Sequence, residues 1–321
     1  MKPRILLTGK TGQVGAELAS LLPRIGYVIA PDRDELNLSN PIEISRLIRE
    51  IRPHVIINAA AYTAVDQAEK EEEIARAINT EAPAIIAEEA KKIGAGVVHY
   101  STDYVFDGSK NSPYLETDRP NPFSVYGKTK LAGEQAIRDA GLPHLILRTA
   151  WVYATRGRNF LLTILRIATQ HEELRIVHDQ IGAPTWCREI AQATASIVER
   201  SLQNRKRTSP FLEDSGTYHM TAAGATNWYE FACAILEEAG KLLPRPAWFD
   251  AATNGCPILA RRIIPISTAE YPTPARRPPY SVLSNALLAR TFALQLPAWH
   301  VQLQSAFSER QSNEAPNRSG L

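Results

Sequence analysis

Cysteine is scarce in this chain: Cys187, Cys233 and Cys256 are the only three in 321 residues, and none stands in a CxxC or beside a histidine cluster. That spacing excludes a disulfide frame and a cysteine-based metal site, and it suits the reduced thiols of a cytoplasmic protein. Charge of one sign is lacking too. With 36 Lys and Arg against 34 Asp and Glu, the net charge is +2 and the pI about 8.4, which leaves no case for nucleic acid or an anionic membrane surface. The one basic run, Arg205-Lys206-Arg207, sits in a polar stretch between Ser201 and Gly216 and reads as a solvated insertion. No apolar run reaches the roughly eighteen residues of a membrane helix, and Ile5-Leu6-Leu7 is too short for a signal-peptide core. No internal repeat is visible. The expectation is a soluble, cytoplasmic chain with room for one large α/β unit and a smaller one.

What is present is concentrated near the start. Arg4-Ile5-Leu6-Leu7 reads as a buried strand and runs into Thr8-Gly9-Lys10-Thr11-Gly12-Gln13-Val14-Gly15. Gly9, Gly12 and Gly15 form GxxGxxG. One glycine permits a tight turn, one lets the backbone approach a pyrophosphate, and one lets the following helix pack on the sheet, with free N–H groups facing an anion. The next strand, Tyr27 to Ala30, ends at Asp32-Arg33. An acid here accepts from an adenosine ribose hydroxyl and an arginine neutralises a 2′-phosphate, so NADPH is favoured and NADH stays open.

Strands at Val55–Asn58, Val97–Tyr100 and Leu145–Arg148 alternate with helices over Glu71 to Thr80, Ala82 to Ile93 and Tyr126 to Ala140. This rhythm predicts a parallel sheet covered on both faces. The fold class is α/β, a Rossmann-like doubly wound sheet with a smaller C-terminal α/β substrate-binding domain. The predicted division is residues 1–150 for the NAD(P)-binding domain and 151–308 mainly for substrate, allowing some chain to return to the sheet. Residues 309–321 form a polar tail expected to be disordered. In the second half a helix from Phe160 to Gln170, a strand near Arg175-Ile176-Val177, a helix after Thr185 and one opened by the N-cap Asn227 are predicted. The proline-rich run from Tyr271 to Pro279 is expected to loop over a cleft or to serve as a plain connector.

Chemistry is expected at the carboxyl ends of the strands. Thr102 and Asp103 follow the Val97–Tyr100 strand, and Asn58-Ala59-Ala60-Ala61-Tyr62-Thr63 leaves another with small residues that let a flat cofactor lie close. Tyr126 and Lys130 stand one helical turn apart. An ammonium about 5 Å from the phenol would favour phenolate by ~3 kcal/mol, about two pKa units, and bring a tyrosine into general acid/base range. Trp151 follows a strand at the same edge, where an indole face suits an apolar sugar surface, as it would equally suit a core.

The glycine pattern, NAAAYTAVDQAE, HYSTDYVFDG, YGKTK, LRTAWVY, DQIGAPT and YPTPARRP, in this order, resemble the extended short-chain dehydrogenase/reductases, and more narrowly the dTDP-4-dehydrorhamnose reductase family. The resemblance covers nearly the whole chain. It implies NADPH-dependent reduction of the carbon-4 ketone of dTDP-4-dehydro-L-rhamnose, with Tyr126, Lys130 and Thr102 catalytic. Cofactor contacts would come from Gly9, Gly12, Gln13, Val14, Gly15, Asp32, Arg33, Asn37, Leu38, Ala60, Ala61 and Thr63, besides Tyr126 and Lys130. Thr102, Asp103 and Trp151 would face a dTDP-sugar. Some members form magnesium-bridged dimers, but Arg188 and His300 stand where carboxylates would be sought, so no metal and a monomer or weak homodimer are expected here. Asn37 and Tyr280 also depart from the family's usual residues. Two alternatives stay open: a reductase or epimerase of another nucleotide-linked keto-sugar, and a non-catalytic regulatory subunit of the methionine adenosyltransferase-partner type.

Overall fold

A computed structural model of the chain describes residues 2–203 and 209–308. The basic run at 205–207 and the tail 309–321 lie outside these residues. Five strands alternate with helices in the first half: β1 (Arg4–Thr8), β2 (Tyr27–Ile29), β3 (Val55–Asn58), β4 (Gly96–Thr102) and β5 (His144–Thr149). With the Gly216–His219 strand they form one parallel sheet in the order Gly216–His219, β5, β4, β3, β1, β2. The chain steps from β1 outward to β2, then crosses back to β3 on the other side of β1. This reversal between β1 and β3 is where an open α/β sheet binds ligands.

Side-chain alternation along the strands sorts the core into two faces. Ile5, Leu7, Ile57 and Leu147 pack with Ile190, Ile197 and Phe292, so the Cys187–Gln203 and Ala286–Phe292 helices cover one face although both come from the second half. Leu6, Ile56, Val97 and Ile146 pack on the other face with Ile44, Ile48 and Ile86 from the Pro41–Ile51 and Ala82–Ile93 helices. The predicted helices 71–80 and 82–93 are joined: Glu72–Arg76 continues through a π-helical segment, Ala77–Glu81, into Ala82–Ile93, which ends at left-handed Gly94.

A separate core holds Tyr153, Leu161, Ile164, Trp186, Phe231, Trp248 and Phe249. Beside it Glu173–Val177 pairs in parallel with Arg262–Ile266, whose Pro265 is accommodated in this two-stranded edge. Asn227 caps the Trp228–Lys241 helix by accepting from the Glu230 N–H at 2.8 Å, as the sequence predicts. Among the described residues no helix is long and apolar enough to cross a membrane.

Candidate active site

A cleft of about 940 Å³ opens along the carboxyl ends of β1, β3 and β4. On its first wall, Gly9 has a φ of +78° and lies so close to the Ala59–Ala60 backbone that a Cβ would fall 2.6 Å from the Ala60 nitrogen. Only glycine suits both conditions. A Cβ on Gly15 would sit 2.0 Å from the Gly9 carbonyl oxygen, so this residue packs beneath the turn and does not line the cleft. The α1 helix (Gln13–Leu21) begins here with no side-chain cap, which leaves its first N–H groups for an anion. Gln13 keeps a buried side-chain oxygen without a protein partner among the described residues. These features fit a dinucleotide.

Asp32, Arg33, Asn37 and Leu38 line one end of the same cleft. Asp32 is engaged locally: its Oδ1 accepts from the Asp34 and Glu35 N–H groups at 3.1 and 3.2 Å, and its Oδ2 lies 3.4 Å from Lys10 Nζ. These backbone hydrogen bonds, with Lys10, hold the carboxyl below its ordinary range. Ala60, Ala61 and Thr63 line the next stretch. The turn they form is held by Asn79, buried in the π-helical segment, which accepts from the Tyr62 N–H at 2.9 Å and donates to the Tyr62 carbonyl at 3.0 Å and to Thr129 at 3.2 Å.

Tyr126 and Lys130 lie on the Val125–Ala140 helix, whose N-cap Ser124 accepts from the Gly127 N–H. Both line the cleft, as do Thr102 and Asp103 at the end of β4. Thr102 and the Tyr126 phenol share a hydrogen bond that favours ionisation, but burial is stronger and pushes the phenol up to about 12. The expected lysine-driven depression is not what the structure shows. Lys130, 2% exposed, turns its Nζ to the Tyr100 carbonyl at 2.6 Å and to His99 Nε2 at 3.2 Å. Four-residue spacing fixed the helix face; the carbonyl at the end of β4 determined the direction of the amine. Burial also brings Lys130 down to about 8, against the opposing charge of Glu134, and lifts the Asp103 carboxyl to about 6. Asp103 and Thr149 each keep an oxygen without a protein partner among the described residues.

The opposite wall carries Trp151, at a φ of +48°, where a bulky side chain is uncommon. Its ring stacks on Trp228 with centroids 3.5 Å apart and planes 7° from parallel. Gly182 makes room, since a Cβ there would fall 2.4 Å from the Trp151 indole. Gln180 accepts from the Trp228 indole N–H at 3.2 Å. Arg156 and Arg158 also line the cleft, Arg156 tied to Glu17 at 2.8 Å and to the Gln13 carbonyl at 3.2 Å. Arg188 lies 2.9 Å from the same Glu17.

Apart from Gly15, the structure gathers every predicted site residue around one cleft. The Tyr271–Pro279 segment does not line it. Instead Arg277 forms a two-pronged pair with Asp66 at 2.9 and 2.7 Å, and Arg276 lies over the Phe123 ring, so this connector fastens the second half to the first. Sequence reasoning missed Trp228, Arg156, Asn79 and His99. The indole of Trp228 had a local explanation as the start of a capped helix, and His99 stood inside a strand that read as core. Gly182, a small residue in the DQIGAPT segment, was the available signal for a packed ring.

Comparison with known proteins places nearly the whole chain beside one family. A family model described as RmlD substrate binding domain matches residues 1–312. A dTDP-4-dehydrorhamnose reductase from Burkholderia thailandensis is 47% identical over 296 residues, 92% of this chain and 95% of that protein. One from Escherichia coli K12 is 43% identical over 309 residues, 95% of this chain and 97% of that protein. The crystal structure of a dTDP-4-dehydrorhamnose reductase from Bacillus anthracis in complex with NADP is 34% identical, with a TM-score of 0.83 over 96% of this chain and 99% of that one.

Proposed function

The chain belongs to the family described as RmlD substrate binding domain, and on that membership together with the cleft we propose that it reduces the carbon-4 ketone of dTDP-4-dehydro-L-rhamnose with NADPH, giving dTDP-L-rhamnose. The observation that carries this reading is the meeting of Thr102, Tyr126 and Lys130 in the cleft that also holds the uncapped glycine turn. A subunit that only bound nucleotide would have no use for all three.

When bound, the reduced cofactor supplies the hydride. Gly9, Gly12, Gln13 and Val14 would hold its pyrophosphate, Gly12 with its own N–H closing the turn onto the Gly9 carbonyl and Gln13 and Val14 through N–H groups at the start of α1, and Ala60, Ala61 and Thr63 would give it a flat bed. Asp32 is occupied by its own backbone contacts and by Lys10, which leaves Arg33 to meet a 2′-phosphate and supports NADPH. Tyr126, kept protonated by burial, donates to the keto oxygen as negative charge develops there, and Thr102 steadies the phenol. Lys130 adds positive charge beneath the site. Trp151, backed by Trp228, offers an apolar face to the sugar ring, and Asp103 accepts from a sugar hydroxyl. Residues 151–308 supply most of the substrate side. Balanced charge and three widely spaced cysteines outside any CxxC support a cytoplasmic protein, and a monomer or weak homodimer is the assembly we expect.

The test follows NADPH absorbance on mixing with dTDP-4-dehydro-L-rhamnose, with NADH and Tyr126→Phe alongside. Rapid oxidation is expected, with kcat reduced about 10²- to 10⁴-fold in the variant and NADPH affinity unchanged. No oxidation by protein that still binds NADPH would overturn the reading.

A further inference from the structure

Thr8, Asn58 and His99 stand in register on β1, β3 and β4, each at most 2% exposed, directly after an aliphatic row formed by Leu7, Ile57 and Val98 on the same strands. Thr8 Oγ1 lies 2.7 Å from Asn58 Oδ1, Asn58 Nδ2 3.1 Å from His99 Nδ1, and His99 Nε2 3.2 Å from Lys130 Nζ. The row therefore starts at the residue before Gly9 and ends at the amine of Lys130. Buried polar groups are unfavourable unless each is paired, and three aliphatic side chains would fill the same space.

Donor and acceptor rules restrict its polarity. An ammonium has only donors, so while Lys130 is charged, His99 Nε2 accepts, the ring proton sits on Nδ1, and the Asn58 amide must turn its oxygen to the ring and its NH2 to Thr8. A neutral amine can accept. Nε2–H then donates to Nζ, Nδ1 accepts from the Asn58 NH2, and Thr8 donates to the amide oxygen, which is the amide orientation in this structure. In both arrangements each junction of the row is a matched donor and acceptor.

We infer that His99 is a positioning residue whose ring tautomer is coupled to the charge of Lys130, so that the lysine is held at the Tyr100 carbonyl in either charge state. The inference rests on the catalytic reading of Lys130 given above. Burial supports it from two directions: it keeps the imidazole neutral, with the Lys130 charge adding to the effect, and it brings the lysine down to about 8, where both forms are accessible. The other groups around the pair are Tyr126 one turn before Lys130, Glu134 one turn after it with Arg148 and Arg138 upon it, and Thr102 and Asp103 at the end of β4. The Tyr100 phenol is engaged elsewhere, donating to Thr194 at 2.7 Å.

The test compares His99→Asn, which keeps a polar atom on the Asn58 side, with His99→Gln, which keeps one on the lysine side. Loss of an acceptor for an ammonium should move the alkaline limb of the kcat profile down by about one to two pH units in His99→Asn. His99→Gln should stay within about half a unit of the parent. Equal behaviour of the two variants would overturn the inference. An independent readout is the ¹⁵N spectrum of the histidine ring from about pH 6 to about pH 10: the proton should move from Nδ1 to Nε2 in the parent and show no such transition in Lys130→Met. A single tautomer throughout would contradict the coupling. A switch in the parent combined with full activity of Lys130→Met would instead defeat the catalytic reading and leave the coupling standing.

Discussion

The two walls of the cleft are built differently. The wall proposed for the cofactor comes from short segments that each leave a strand of one sheet, at Gly9, Asp32 and Ala60, so main-chain pairing in register positions them. The wall proposed for the substrate gathers Trp151, Arg156 and Trp228 from distant parts of the chain and holds them by side-chain packing: a ring stack, the space left by Gly182 and an ion pair to Glu17. A wall set by backbone pairing tolerates many side chains and few intrusions. One set by side chains has the opposite sensitivity.

The largest expected effect lies where the walls meet. Burial lifts the Asp103 carboxyl from an ordinary 3.8 to about 6. Between those values the folded chain keeps a proton that the unfolded chain has released, so stability falls as pH rises through the window, by about 3 kcal/mol in all. Asp103→Asn should therefore match the parent near pH 4 and exceed it by up to about 3 kcal/mol at pH 7, as read by denaturant unfolding. Equal stability at both pH values would mean that the carboxyl is not strained by its site. A smaller effect is expected on the cofactor wall. Gly15→Ala drives a Cβ against the Gly9 carbonyl, and this overpacking should cost about 1–3 kcal/mol. Calorimetric titration should show NADPH affinity reduced about tenfold or more, while the near-ultraviolet signal of the Trp151–Trp228 stack persists. Smallest is Trp228→Ala. Loss of a stack worth about 0.5–1.5 kcal/mol should raise KM for the sugar nucleotide about two- to tenfold and leave NADPH affinity alone. A parallel loss of cofactor binding would erase the distinction between the walls.

The same contrast explains what could be read in advance. Strand-end residues are placed by local patterns: aliphatic runs, glycines at a strand-to-helix turn and small residues after β3 are enough to bring these segments to one side of the cleft. Trp151 could be assigned to the right edge for the same reason, because it follows β5. Its partner could not, since Trp228 lies 77 positions on in a segment whose asparagine cap already accounted for its local pattern. The pairing of Glu173–Val177 with Arg262–Ile266 was hidden in the same way, by sequence distance and by a proline inside the second strand. Lys130 illustrates the limit at the level of one side chain. Helical spacing put it on the face of Tyr126, yet the Tyr100 carbonyl and His99 took its amine, and His99, visible in the sequence, read as a core position of its strand rather than as a partner for a lysine 31 residues on.

As proposed, the cleft brings a hydride donor and the Tyr126 proton donor to one ketone. The most direct measurement uses NADPH deuterated at the transferable position with dTDP-4-dehydro-L-rhamnose, followed by mass and proton spectra of the sugar. The account predicts one deuterium in the product, at carbon 4, and none in the product's other ring positions. Recovery of an unreduced keto-sugar, or label exchange at a neighbouring carbon without net NADPH oxidation, would contradict it.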